Sequence, residues 1–217
     1  MPTVVITDNT SGGDFTGTED AMMREFGINS GTNYGSAVNA EVHALSAGTD
    51  VNDLLVRFPG LSNITGPVTV TAATLELYMD SNFFGVDGNL DLFRILRNWV
   101  EAQVSGDNWS TGNAWATPGG RGSGTDRAAS ATQAGRFVST ASGQWISFSN
   151  ANLIADVQGF INGTFGNHGW GIYADAADAP TAQFVTSEGT DGFRPRLTVT
   201  YTASGGGGSP AYAYAQQ

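Results

Sequence analysis

Apolar side chains recur at every second position in most hydrophobic segments of this chain, and turn-forming residues separate those segments. The clearest case is "VTVTAATLELYMD", where Ala73, Leu75, Leu77 and Met79 fall on one face. "SAVNAEVHAL" alternates in the same way, and "TVVITD", "DLLVRF", "LDLFRIL", "GWGIYAD", "TAQFVTSEG" and "RPRLTVTYT" read as further strands. "EDAMMREF" fits either a strand or a short helix, and "RFVSTASGQWISFS" is expected to fold as a hairpin. One segment breaks the two-residue period. "NANLIADVQGFINGT" carries Leu153, Ile154, Val157 and Ile161 at helical spacing, with an asparagine placed to cap its start. Many short strands and one helix predict an all-β fold: an antiparallel β-sandwich of jelly-roll type with one short helix and flexible terminal arms.

The same pattern sets the organisation. Residues 20–203 form the sandwich domain, and residues 1–19 are an N-terminal arm or a first strand. Residues 204–217, "SGGGGSPAYAYAQQ", change character abruptly and read as a glycine-rich linker with a C-terminal arm. Tyr212 and Tyr214 on that arm are expected to dock on a neighbouring molecule.

Composition narrows the chemistry. The 217 residues are 40% hydrophobic and only 13% charged, enough for a core but poor in the charged surface that helices favour. The net charge is −11, and all nine cations are arginine. A lysine-free acidic surface repels phosphate backbones and anionic membranes, so nucleic-acid binding is excluded as an expectation. The arginines read as hydrogen-bonding anchors. There is no cysteine, hence no disulfide framework and no thiolate metal site. His43 and His168 stand far apart, too few for a zinc centre without carboxylates. No segment is long and apolar enough to span a bilayer, so no membrane insertion is expected. The N-terminus lacks the basic-then-apolar pattern of a secretory signal, so assembly in the cytoplasm is expected.

Four constellations remain as candidate chemistry. "LRNWVEAQVSGDNWSTGNAWATPGG" holds Trp99, Trp109 and Trp115 among turn-formers. Indole faces stack on sugar rings, which makes Trp109 and Trp115 candidate glycan-binding residues. The competing reading packs Trp99 and Trp115 onto the core and leaves Trp109 the most exposed. Glu188 with Arg194 and Arg196 is expected to form a structural ion pair, since a planar guanidinium can hold a carboxylate bidentately. Asp87, Asn89 and Asp91 alternate as at the start of a calcium loop, but the later ligands are missing. No cofactor is therefore expected; structural calcium stays open, also through the acidic stretch at residues 174–179. Neither histidine lies near a nucleophile elbow, and no carboxylate pair stands out, so catalysis is not expected.

The ordered set "TNYGSAVNAEV", "DLLVRFPGL", "TAATLELYM", "LRNWVEAQV", "NAWATPGG", "NHGWGIYAD" and "FVTSEGTDGFRPRLTVTY" resembles DNRLRE-type domains, also called disaggregatase-related or alginate-binding carbohydrate modules. The resemblance runs from about residue 20 to residue 202. It implies a β-sandwich that serves as an accessory module of exported or surface proteins, some relatives binding acidic polysaccharide. The chain departs from that pattern by lacking lysine, and it is expected to stand alone instead of being joined to a catalytic domain.

Together these readings predict a non-catalytic structural or binding β-sandwich, foremost a phage virion surface protein of capsid-decoration or fibre type that also binds glycan. Its partners would be itself as a homo-oligomer, capsid subunits and surface polysaccharide, and its location the virion after assembly in the host cytoplasm. The alternatives are a carbohydrate-binding module of a secreted polysaccharide-degrading protein, extracellular in location, and a polysaccharide lyase using His168 and a tyrosine.

Overall fold

The computed structural model describes residues 1–25, 27, 29–46, 50–174 and 180–204. In chain order the strands are β1 (Thr3–Thr7), β2 (Glu19–Arg24), β3 (Asn39–Ser46), β4 (Asp50–Arg57), β5 (Val68–Asn82), β6 (Gly88–Arg94), β7 (Asn108–Ser110), β8 (Asn113–Ala114), β9 (Gln133–Val138) and β10 (Gln144–Phe148). Helix α1 (Ala151–Ile161) follows, then β11 (Trp170–Ala174), β12 (Ala182–Val185) and β13 (Arg196–Ala203). The fold is an all-β antiparallel sandwich.

A single curled sheet makes both layers. One layer runs β1–β13–β5, with β10 on the other side of β5 and β12 extending the β13 side toward β3. β3 pairs with β12 at one edge and β4 at the other, and so carries the sheet round into the second layer. There β4 is followed by β11, β6 and β9, and β2 pairs with β4. The strand β1 pairs with β13 from Thr3↔Thr200 to Thr7↔Arg196, which places the first residues in the sheet.

The strand alternation explains the core between the layers. Leu75, Leu77 and Met79 of β5 face inward with Leu197 and Val199 of β13, against Leu54, Val56, Leu90, Leu92, Trp170 and Ile172 of the second layer. β2 is a strand and not a helix, because every residue from Glu19 to Arg24 finds a partner on β4. Helix α1 starts where expected: Asn150 Oδ1 accepts the Leu153 N–H at 2.8 Å. Leu153, Val157 and Phe160 are buried, and Gln158 joins the helix to β5 through Val70 N–H and the Val68 carbonyl.

The expected hairpin at residues 136–149 is corrected. β9 pairs with β6 and β10 pairs with β5, in opposite layers. Alternation reports which face a residue takes but not which strand it meets. The five residues between β9 and β10 are long enough to cross the ~10 Å between stacked sheets.

A second core lies outside the second layer. Residues 95–127 fold over β2, β4 and β11, burying Trp99, Val104 and Trp115 against Met23, Leu55 and Tyr173. The approach is close: a Cβ on Gly106 would lie 1.7 Å from the Arg24 carbonyl oxygen, so only glycine fits there. Strands β2, β4 and β11 thus have both faces covered, and their burial is nearly continuous. The outer face of the β5 layer is the broad sheet surface left open.

Candidate functional site

The tryptophan segment is mostly interior. Trp99 is fully buried and donates its indole N–H to the His168 carbonyl at 2.8 Å. Trp115 is 5% exposed, donates to the Ser105 carbonyl at 2.9 Å and lies against Gly120. A ring enclosed in this way has no face to offer a sugar, so the glycan-binding expectation for Trp115 is corrected, and the reading that packs Trp99 and Trp115 on the core holds. Its alternation with turn residues hid a long excursion that packs back on the sheet. Trp109 is half-buried against the same core. It has no stacked aromatic neighbour among the described residues.

Inside this core the arginines act as anchors. Arg121 holds Asp53 of β4 bidentately at 2.9 and 2.7 Å and also pairs with Glu25. Asp126, fully buried, accepts the N–H groups of Ala116, Thr117 and Gly122 and pairs with Arg97 at 3.3 Å. Guanidinium groups of Arg57, Arg121 and Arg127 stack on Trp99 or Tyr173. These contacts clamp residues 95–127 onto the sheet.

The expected ion pair among Glu188, Arg194 and Arg196 does not form. Arg196 grips Glu76 of β5 at 2.7 and 3.1 Å, because β13 sets it directly opposite Glu76 in register. Arg194 donates to the carbonyls of Gly189 (3.0 Å) and Asp8 (2.6 Å), and Glu188 is exposed beside Ser187. Sequence proximity suggested the trio, but a strand presents neighbours to different partners. Tyr212, Tyr214 and residues 175–179 of the acidic stretch lie outside the described residues. Asp87 accepts the Thr140 N–H and Asp91 the Gly135 N–H, so both carboxylates serve to hold β9 and its exit. Among the described residues no group of three or more histidines or carboxylates is gathered as for a metal.

The open face carries a different aromatic set. The inward alternation of Leu77 and Met79 turns Tyr78 outward, and that of Ile146 and Phe148 turns Trp145 outward; the two are register partners across β5 and β10. Their rings meet edge to face at 5.3 Å. Phe193, on the turn before β13, lies on Tyr78 at 4.2 Å with a 33° tilt. The three rings form a continuous band. Each is held in place. Arg196 stacks on Trp145 at 4.0 Å while bound to Glu76. The Phe193 turn is fastened to the N-terminal segment: Asn9 Oδ1 accepts Gly192 N–H at 2.7 Å, and Asp191 accepts from Thr10 N–H at 2.7 Å and from its hydroxyl. Those bonds hold the fully exposed Asp191 carboxyl below its ordinary range.

The polar tips of these rings separate them from the structural aromatics. Trp99, Trp115, Trp170 and Tyr173 all donate to protein acceptors. Among the described residues the Tyr78 hydroxyl and Trp145 indole N–H have no such partner. Beside Tyr78 and Phe193 a groove of about 210 Å³ is lined also by Val38, Asn39, Asp80 and Thr190. The sequence carried a usable signal for this band: large aromatics on the polar face of amphipathic strands.

Elsewhere, a shallow cleft joins Glu19, Arg57, Asn98 and Glu101. Glu101 is half-buried, and burial, ahead of the charges of Glu188 and Glu19, pushes its carboxyl up to about 7. Burial likewise raises Asp20, whose carboxylate accepts the Ser187 N–H at 2.7 Å. Burial and the charges of Arg57 and Arg94 lower His168, which packs against Gly166 and hydrogen bonds to no tyrosine among the described residues. No protein-family model matches the chain, and a search of curated proteins finds no match either.

Proposed function

We propose that this protein is a non-catalytic β-sandwich that holds other molecules, and that its open face binds a saccharide chain across Phe193, Tyr78 and Trp145. The observation that carries this reading is the band itself: three contiguous rings, fixed by protein contacts, with the polar tips of Tyr78 and Trp145 unclaimed. Rings fixed in advance lose little freedom on binding, and their apolar faces suit the C–H side of a sugar. The motif resemblance to DNRLRE-type carbohydrate modules points the same way. Affinity electrophoresis through polysaccharide gels tests it. The protein is retarded by at least one polymer, and Trp145→Ala weakens that binding about thirtyfold, the effect of losing a hot-spot aromatic worth about 2 kcal/mol. Retention by no polymer, or retention unchanged in Trp145→Ala, would overturn it.

A second reading places this binding face on a virion surface, with copies of the chain in mutual contact. A specific feature favours it. At the turn joining β5 to β6, Phe83, Phe84 and Val86 are 39%, 61% and 41% exposed, and Phe137 on β9 is 53% exposed. Asn82 links this turn to the residue that follows β9 by donating to the carbonyls of Val86 and Ser139. Exposed apolar groups gathered at one end of a sandwich are suited to contact between subunits.

A further inference from the structure

If the aromatic band is a saccharide site, its charges decide which saccharides it takes. We infer that it selects neutral sugar chains and rejects uronate-bearing or sulfated ones. The inference rests on the binding role proposed above and adds a ligand class to it.

The groove beside Tyr78 and Phe193 contains one charged lining residue, Asp80. Asp80 is exposed at the end of the outward row Glu76, Tyr78, Asp80 on β5, and has no hydrogen-bond or ion-pair partner among the described residues. The nearby cations are already committed. Arg196 is held by both oxygens of Glu76, and its guanidinium carbon sits over the Trp145 ring. Arg194 donates from Nε and Nη1 to two backbone carbonyls, its charge acts on Asp191, and it does not line the groove. The groove therefore keeps an unmatched negative charge, on a chain whose net charge is −11.

An ionised carboxylate is acceptor-only, and because no cation lines the groove its partners there are neutral donors. Sugar hydroxyls are such donors. With Asp80 accepting from hydroxyls, Asn39 and Thr190 able to give and take hydrogen bonds, and the rings supplying an apolar floor, the groove matches a neutral saccharide. A uronate or sulfate would set its own charge beside Asp80, with no arginine lining the groove to receive it. The acidic-polysaccharide preference implied by the family resemblance is thus not expected of this chain.

The test compares wild type, Asp80→Asn and Trp145→Ala against neutral glucan, xylan and mannan, against alginate and a sulfated glycan, and against a proline-rich peptide. Binding is read by calorimetry at low and at physiological salt. Wild type binds a neutral polymer with little salt dependence, and alginate and the sulfated glycan at least about a hundredfold more weakly. Asp80→Asn, an exposed change whose fold is checked by circular dichroism, weakens the neutral polymer about tenfold, in line with loss of a charge-assisted bond. It also narrows the gap to alginate. Alginate bound as tightly as the neutral polymers, with both lost in Trp145→Ala, would overturn the selectivity while leaving the saccharide site standing. Binding of the peptide with none of the glycans, or no binding dependent on Trp145, would overturn the site itself.

Discussion

Glu101 shows how one side chain can make this sandwich sensitive to pH. Its carboxyl is raised from 4.5 to about 7, because burial disfavours its charge and neighbouring carboxylates add to the effect. A carboxyl raised in the folded state binds a proton more tightly there than in the unfolded chain. Its stabilising contribution is complete below about 4.5 and lost as pH rises through about 7. His168 has the opposite sign: lowered by burial, it costs stability as pH falls below 6.5. The two effects separate by substitution. Glu101→Gln keeps an oxygen to accept the Asp20 N–H, bonded at 2.8 Å. We expect the variant to gain stability over wild type between pH 5 and 8, progressively with pH. Urea titrations at several pH values check this; a constant difference between the two proteins would refute it.

At the scale of elements, the segment from Ile95 to Arg127 behaves as a cover for the second layer. It has little regular structure beyond the β7–β8 pair, and buried carboxylates and indoles hold it in place. Trp115 is the centre of this arrangement, in contact with Gly120 and bonded to Ser105. Replacing it with alanine empties a large part of the second core and orphans the Ser105 carbonyl. We expect Trp115→Ala to cost about 3–5 kcal/mol, with hydrogen-exchange protection lost first in residues 95–127. A loss below about 1 kcal/mol would mean that the cover is held by its arginine pairs alone. The β9–β10 correction belongs to this scale too. Each strand was legible from its alternation, yet neither its partner nor its layer was.

For the whole molecule, the cover leaves one broad sheet face open. With β2, β4 and β11 enclosed on both sides, the open sheet face is the one bearing Tyr78, Trp145 and Arg196, while the apolar turn of Phe83 and Phe84 lies at the end of β5. The aromatic band and the exposed apolar turn therefore lie on separate parts of the sandwich, and the proposed binding and assembly roles can be tested separately. If copies of the chain meet through the apolar turn, native mass spectrometry finds an oligomer that Phe84→Asp converts to monomer, with saccharide binding retained. A wild-type monomer at micromolar concentration, absent from purified virions, would remove the second reading.

Period-two alternation by itself determined the strand faces, because inward and outward positions follow from local backbone geometry. It marked β5, β13 and the inward row at Ala73 to Met79, and helical spacing with an asparagine cap marked α1. Local pattern is blind to which distant segments meet. The exclusion of Glu188 from the arginine pairs, the burial of Trp115 and the meeting of Phe193, Tyr78 and Trp145 all depend on strand register and on how residues 95–127 fold back. Those were settled only by the tertiary packing, since contacts between residues far apart in the chain arise from filling the core and satisfying its buried charges.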